Sequence, residues 1–326
     1  MRFLVTGATG FLGRHLWREL RRAGHDIVVL ARDPERAGKT LPGTRVFEWN
    51  GVVGLPPEEA FAGVDVIVNL IGESVASRWN AERKRKFRDS RVLPTRALVE
   101  RMSGLSTRPG TMISMAGTGF YGNRGDEVLT ESSAGGAGYL AKLSQDWEAA
   151  AEGAATQGVR TVIFRSGVVL GRDGGALPRI VTPFRFGVGG RLGDGGQYFP
   201  WIHLADAIGI LLHCADRPDL RGIVNGVAPE PVTNAEFTAA LGRQLGRPTA
   251  LGVPAFALKL AFGEMAEELL LASQRVSPIR ALEAGYEFKF PLLAGALKDL
   301  LKATTNDKDP QQDGAQKDDP SSDLEL

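Results

Sequence analysis

Three glycines spaced by three, Gly7, Gly10 and Gly13, mark the first candidate chemistry. A glycine at the first position allows a tight turn, the second lets backbone approach a pyrophosphate, and the third lets a following helix pack closely. Phosphates would rest on the N–H groups that open the helix, so Thr9, Phe11 and Leu12 join the glycines as expected dinucleotide contacts. The spacing is G-x-x-G-x-x-G rather than the commoner G-x-G-x-x-G. Arg32 offers a guanidinium fork suited to a 2′-phosphate, which favours NADP(H); Asp33 behind it keeps the 2′-hydroxyl of NAD open. Asn69, Leu70, Gly72 and Glu73 form a further group expected beside the cofactor. Ser114, Thr118 and Tyr121 are hydroxyls able to pass a proton. Arg165, Arg191, Gln197 and His203 are candidates to orient an oxygen-rich or phosphorylated substrate. Four histidines and one cysteine show no metal-ligand spacing, so no metal is expected.

These residues need a scaffold, and the pattern supplies one. Met1 to Val5 is an apolar run of strand formers, and Leu12, Leu16, Trp17 and Leu20 recur at helical spacing before Gly24. Strand, glycine turn and helix follow in that order. Asp26–Ala31 reads as a second strand ending at Arg32, Arg45–Trp49 as a third, and Val64–Gly72 as a fourth whose end carries Asn69 to Glu73. Asn80 to Arg101 is helical, and its basic start, Arg83 to Lys86, reads as a solvated face. A fifth strand over 111–115 leads into Thr118 and Tyr121, a helix covers 140–155, and a sixth strand covers 159–165. Alternating strands and helices predict an α/β fold, a Rossmann-type doubly wound parallel sheet with a smaller C-terminal substrate domain. The expected organisation is a cofactor domain over 1–228, with a glycine-rich lid over about 171–200, and a helical domain over 229–303. Asp206 is expected to cap the helix after His203. The acidic stretch 304–326 has too few apolar residues to fold and reads as disordered.

Composition narrows the function classes. The 326 residues are 43% hydrophobic and 24% charged, enough for a sizeable core. A lone Cys214 permits no intrachain disulfide and fits a reducing, cytoplasmic setting. The start runs straight into a strand without a leader pattern, and no stretch reaches membrane-spanning length. From Thr304 seven acids against Lys308 and Lys317 give −5, which leaves +6 on the rest of a chain whose net charge is +1. That excess suits a phosphate-bearing ligand better than a nucleic-acid surface. A homodimer stays open.

Together, Thr6–Gly13, Asn69–Glu73 with Arg78-Trp79, Ser90-Arg91 with Thr95, Gly119–Gly122, Trp147-Glu148, Arg165–Gly171, Gly174-Gly175, Gly189-Gly190, Gln197, Trp201–His203 and Asp206 resemble the YfcH-type epimerase-family proteins. These are atypical members of the extended short-chain dehydrogenase/reductase superfamily. The resemblance spans roughly residues 1 to 300 and implies NADP(H) binding with an oxidoreductase or epimerase activity on an unidentified small carbonyl or sugar-nucleotide-like substrate. Two departures stand out. The superfamily's Tyr-x-x-x-Lys pair is missing: Tyr139 and Lys142 are one residue too close, and counting back from Glu148 puts Leu140 and Ser144 at the two positions. Where the subgroup shows Ser-x-Ser, the second serine is Ala116. The alternative is a catalytically silent NADP(H)-binding regulatory protein, for example one linked to cell division.

Overall fold

The computed structural model describes residues 1–302, so the expected disordered tail over 304–326 lies outside the described residues. Strands β1 (Arg2–Thr6), β2 (Asp26–Ala31), β3 (Arg45–Glu48), β4 (Val66–Asn69) and β5 (Thr111–Gly117) alternate with helices α1 (Phe11–Arg22), α2 (Pro34–Thr40) and α3 (Ala81–Ser103). Then come β6 (Val128–Leu129), α4 (Tyr139–Glu152), β7 (Arg160–Ser166), β8 (Val168–Leu170), α5 (Leu177–Arg185), β9 (Tyr198–Phe199), β10 (Trp201–His203), α6 (Leu204–Asp216) and β11 (Gly222–Gly226). The remainder holds β12 (Val232–Thr233), α7 (Asn234–Leu245), α8 (Ala255–Phe262), β13 (Arg275–Val276), α9 (Ile279–Glu283) and α10 (Leu293–Leu301).

Seven strands form one sheet in the order β11-β7-β5-β4-β1-β2-β3, every neighbouring pair parallel. Parallel neighbours need crossovers, and helices on both faces supply them and bury the strands completely. Side chains alternate across β1: Phe3 and Val5 pack with Leu16 and Leu20 of α1 and with Leu211 of α6, while Leu4 packs with Leu98 and Met102 of α3. The strand order reverses between β1 and β4, which opens a crevice outside their carboxyl ends.

A second core joins Leu177, Val181 and Phe184 of α5 to Phe237 and Leu241 of α7 and Leu293, Leu297 and Leu300 of α10. The stretch over 171–200, expected as a lid, therefore includes a helix whose apolar face belongs to this core. Its flanking glycines have a packing reason of their own. Cβ atoms at Gly171, Gly174 and Gly175 would lie 2.3, 2.4 and 2.8 Å from the Phe11 ring, so the loop closes on that ring only because it lacks side chains there. Within the stretch 229–303, expected to be helical, Ala266–Leu270 forms a π turn. Among the described residues no helix is long and apolar enough to cross a membrane.

Candidate cofactor crevice and substrate cleft

The crevice begins where β1 ends. Gly7 sits at φ 66°, and a Cβ there would come 2.8 Å from the Leu70 carbonyl oxygen, so this glycine both makes the turn and lets the ends of β1 and β4 touch. A Cβ at Gly13 would lie 2.2 Å from the Gly7 carbonyl oxygen, which ties the first turn of α1 to the loop beneath it. Gly10 keeps an ordinary φ of −71°, and its Cβ position meets only the Gly7 oxygen, at 3.2 Å. The helix has no side-chain cap, and the Phe11, Leu12 and Gly13 N–H groups find no acceptor among the described residues. Three free donors at the positive end of a helix form an anion site. Thr9 borders it, its carbonyl accepting from Arg14 at 3.3 Å. At the end of β2, the Asp33 carboxylate accepts the Arg36 N–H at 2.9 Å and caps α2. Arg32 beside it is exposed and makes no ion pair among the described residues.

Several expected site residues are committed inside the protein instead. Asn69 is fully buried: its Oδ1 accepts from Thr6 at 2.7 Å, and its Nδ2 donates to Thr95 at 2.9 Å and Ser114 at 3.2 Å. Thr95 also accepts from the Trp147 indole at 3.1 Å, so one buried network stitches β1, β4 and β5 to α3 and α4. This corrects the cofactor role expected of the Asn69 side chain and the proton-transfer role of Ser114. Tyr121 is fully buried too, its hydroxyl accepting from Arg165 at 3.0 Å and donating to Asn225 Oδ1 at 2.7 Å. Burial pushes that phenol up, against the pull of Arg165, so it is a poor proton donor.

Arg165, expected to face substrate, is 3% exposed and grips Glu148 with two bonds of 2.8 and 2.7 Å while stacking 3.4 Å from the centroid of Phe120. His203 is 5% exposed, accepts the Ala205 N–H at 3.0 Å and so caps α6, and stacks on Phe290 at 3.8 Å. Burial lowers its pKa. Asp206, expected as the cap, instead accepts the Lys289 and Phe290 N–H groups at 2.7 and 2.9 Å. A polar residue between apolar neighbours reads alike whether its partner is a ligand or the core; here the core holds the partners of Arg165 and Asp206, while His203 Nε2 lies 3.4 Å from the Asp299 carboxylate without a hydrogen bond among the described residues.

What stays open is smaller. Thr118 begins the short 3-10 turn after β5 and is 5% exposed, and its hydroxyl makes no hydrogen bond among the described residues. Gln197 lines the cleft, yet its amide donates to the Leu192 and Leu270 carbonyls at 3.1 Å each. Arg191 is exposed, and its carbonyl accepts from Val253 at 2.8 Å.

The cleft is a cavity of about 800 Å³ between the loop after β5, the start of α4, residues 193–198 and the α8 region. Asp126, Asp194, Glu267 and Glu268 face a single cation, Lys259, which pairs with Glu267 at 2.7 Å. Glu268 accepts the Tyr139 and Leu140 N–H groups at 2.7 Å each and thus caps α4 from the other lobe. No local signal in the sequence could have found that contact. Leu140 lines the cleft, and a Cβ at Gly119 would meet the Leu140 Cβ at 3.2 Å. The Tyr139 hydroxyl donates to the Lys84 carbonyl, and Lys142 pairs with Asp146 at 2.6 Å, so the two form no acid–cation pair.

Residues 3–225 match the NAD dependent epimerase/dehydratase family, and residues 253–300 match a domain of unknown function, DUF1731. The chain belongs to that epimerase/dehydratase family. It is 38% identical over 303 residues to the chloroplastic epimerase family protein SDR39U1 homolog of Arabidopsis thaliana, covering 91% of this chain and 86% of the relative. Epimerase family protein YfhF of Bacillus subtilis is 34% identical over 305 residues, 92% and 98% of the two chains. Among solved structures, human epimerase family protein SDR39U1 (isoform 2) with NADPH matches at a TM-score of 0.81 and 35% identity, covering 92% of this chain and 99% of that one. A UDP-glucuronic acid 4-epimerase from Bacillus cereus in complex with NAD, at 14% identity and a TM-score of 0.73, shares the fold.

Proposed function

We propose that the protein binds NADP(H) along the carboxyl ends of β2, β1 and β4 and uses it on a small uncharged carbonyl compound in the 800 Å³ cleft. The observation that carries this reading is one sheet edge holding three free helix N–H groups beside an exposed Arg32 whose acidic neighbour is already engaged. The first suits a pyrophosphate and the second a 2′-phosphate. The human relative's NADPH supports the same choice. When bound, NADP(H) supplies or accepts a hydride. The chain's own task is to orient the carbonyl, and the Thr118 hydroxyl, beside the cleft-lining Gly119, is the group left to donate a hydrogen bond to its oxygen. Four carboxylates against Lys259 make the cleft unfavourable for a nucleoside diphosphate sugar and leave neutral compounds favoured. A second reading, cofactor binding without turnover, is supported by Leu140 at the position of the missing tyrosine.

Titration of NADPH and NADH into the wild type and Arg32→Ala tests the cofactor. Arg32→Ala should weaken NADPH by about 1–3 kcal/mol, the range for a charge-assisted contact, and leave NADH nearly unchanged. Equal losses for both nucleotides refute the assignment. Consumption of NADPH absorbance across a panel of neutral carbonyl compounds favours the enzyme; none across the panel favours the silent protein.

A further inference from the structure

Among the described residues Arg91 is a half-buried cation that touches no carboxylate. Its helix, α3, carries other cations that find carboxylates: Lys84 with Glu264, Lys86 with Glu82 at 2.9 Å, Arg88 with Asp146 at 3.3 Å and Arg101 with Glu58 at 3.6 Å. Among the described residues Arg83, Arg85, Arg91 and Arg96 make no ion pair, and of these four Arg91 alone is not exposed. Its guanidinium donates to neutral oxygens, the Phe87 carbonyl at 3.0 Å and the Glu73 carbonyl at 2.6 Å. The Trp147 ring lies beneath it, 5.2 Å from centroid to Cζ. A Cβ at Gly72 would stand 3.2 Å from that Cζ, so the glycine makes room for the guanidinium. Burial pulls the group down to about 10, against the attraction of Tyr139 and Glu73. A half-buried positive charge of this kind is screened by water less than a surface arginine, so an anion that reaches it is held more strongly.

Its position says which anion. Gly72 and Glu73 follow β4, whose end touches the Gly7 turn through Leu70, at the point where the strand order reverses. With the 2′-phosphate end at Arg32 beyond β2, the β4 side of the crevice falls to the nicotinamide half. We propose that Arg91 donates to the ribose 5′-phosphate oxygens of the cofactor's nicotinamide half, so that a cation reaches the cofactor from α3 where α4 carries Ser144 at the lysine position. This rests on the cofactor reading above, and the test separates the two.

Two ligands are titrated into each protein: NADPH, and 2′,5′-ADP, which keeps only the 2′-phosphorylated adenosine end. Failure of the wild type to bind either ligand would sink the cofactor reading itself. Given wild-type binding, Arg91→Gln should weaken NADPH at least about 10-fold while 2′,5′-ADP stays within about twofold. Arg91→Met removes the charge without an unpaired amide, so it is the second variant should the glutamine protein fail to fold. It should show the same split. NADPH binding at wild-type strength in either folded variant overturns the proposal. So does an equal loss for both ligands, which would make Arg91 a structural residue.

Discussion

Replacing Arg165 with methionine tests how α4 is held against the sheet. The change strips Glu148, 5% exposed, of two charge-assisted bonds of 2.8 and 2.7 Å, and removes the 3.0 Å donor to Tyr121. Removing one partner of a buried ion pair costs about 3–5 kcal/mol, because the other charge stays behind. Methionine refills much of the volume beside Phe120, which keeps the cavity term small. At about 2–4 °C of melting temperature per kcal/mol for a chain this large, the drop should be on the order of 10 °C. The deficit should also depend on pH. Burial already pushes the Glu148 carboxyl up, and Arg165 pulls it back; without that pull its folded pKa rises well above the ordinary ~4.3. A carboxyl raised on folding contributes stability that is full below the unfolded value and lost as pH climbs through the folded one. The gap to wild type should therefore be smaller at about pH 5.5 than at about pH 8. Thermal and urea melts at both pH values measure it, and Glu148→Met added to Arg165→Met should recover most of the loss. A cost under about 1 kcal/mol, or a pH-independent gap that the double variant fails to narrow, refutes a desolvated pair.

Three further outcomes are expected. Gly10→Val should melt within a few degrees of wild type, since only the Gly7 oxygen meets its Cβ, yet lose the NADPH-induced shift; retained binding would mean that the turn does not face phosphate. Glu268→Ala should cost about 1 kcal/mol, as lost helix caps do, and speed hydrogen exchange at the Tyr139 and Leu140 amides; unchanged exchange there contradicts the cap. Tyr139→Phe should leave NADPH affinity and any turnover unchanged, because burial raises that phenol to about 12 and its proton goes to Lys84; a loss of about 10²–10⁴ in rate would restore it as the acid.

The sequence alone determined what backbone geometry repeats locally. The glycine turn, the strands and the helices follow from residue spacings that turns, strands and helices impose wherever they occur. A helix likewise fixes the distance from Glu148 back to Leu140, and the structure sets Leu140 on the cleft wall while the Tyr139 hydroxyl turns to the Lys84 carbonyl. The partners of buried polar groups were not legible. Asn69, Ser114, Tyr121, Arg165 and His203 have the residue types of a site, and only the tertiary structure decided that their partners are other parts of the same chain. The Glu268 cap on α4, the place of α5 in the second core and the lack of a counter-ion for Arg91 among the described residues were decided there as well. A hydrogen bond or ion pair depends on distances between segments that can be more than a hundred residues apart. Periodicity carries no information about such distances, whereas packing fixes them.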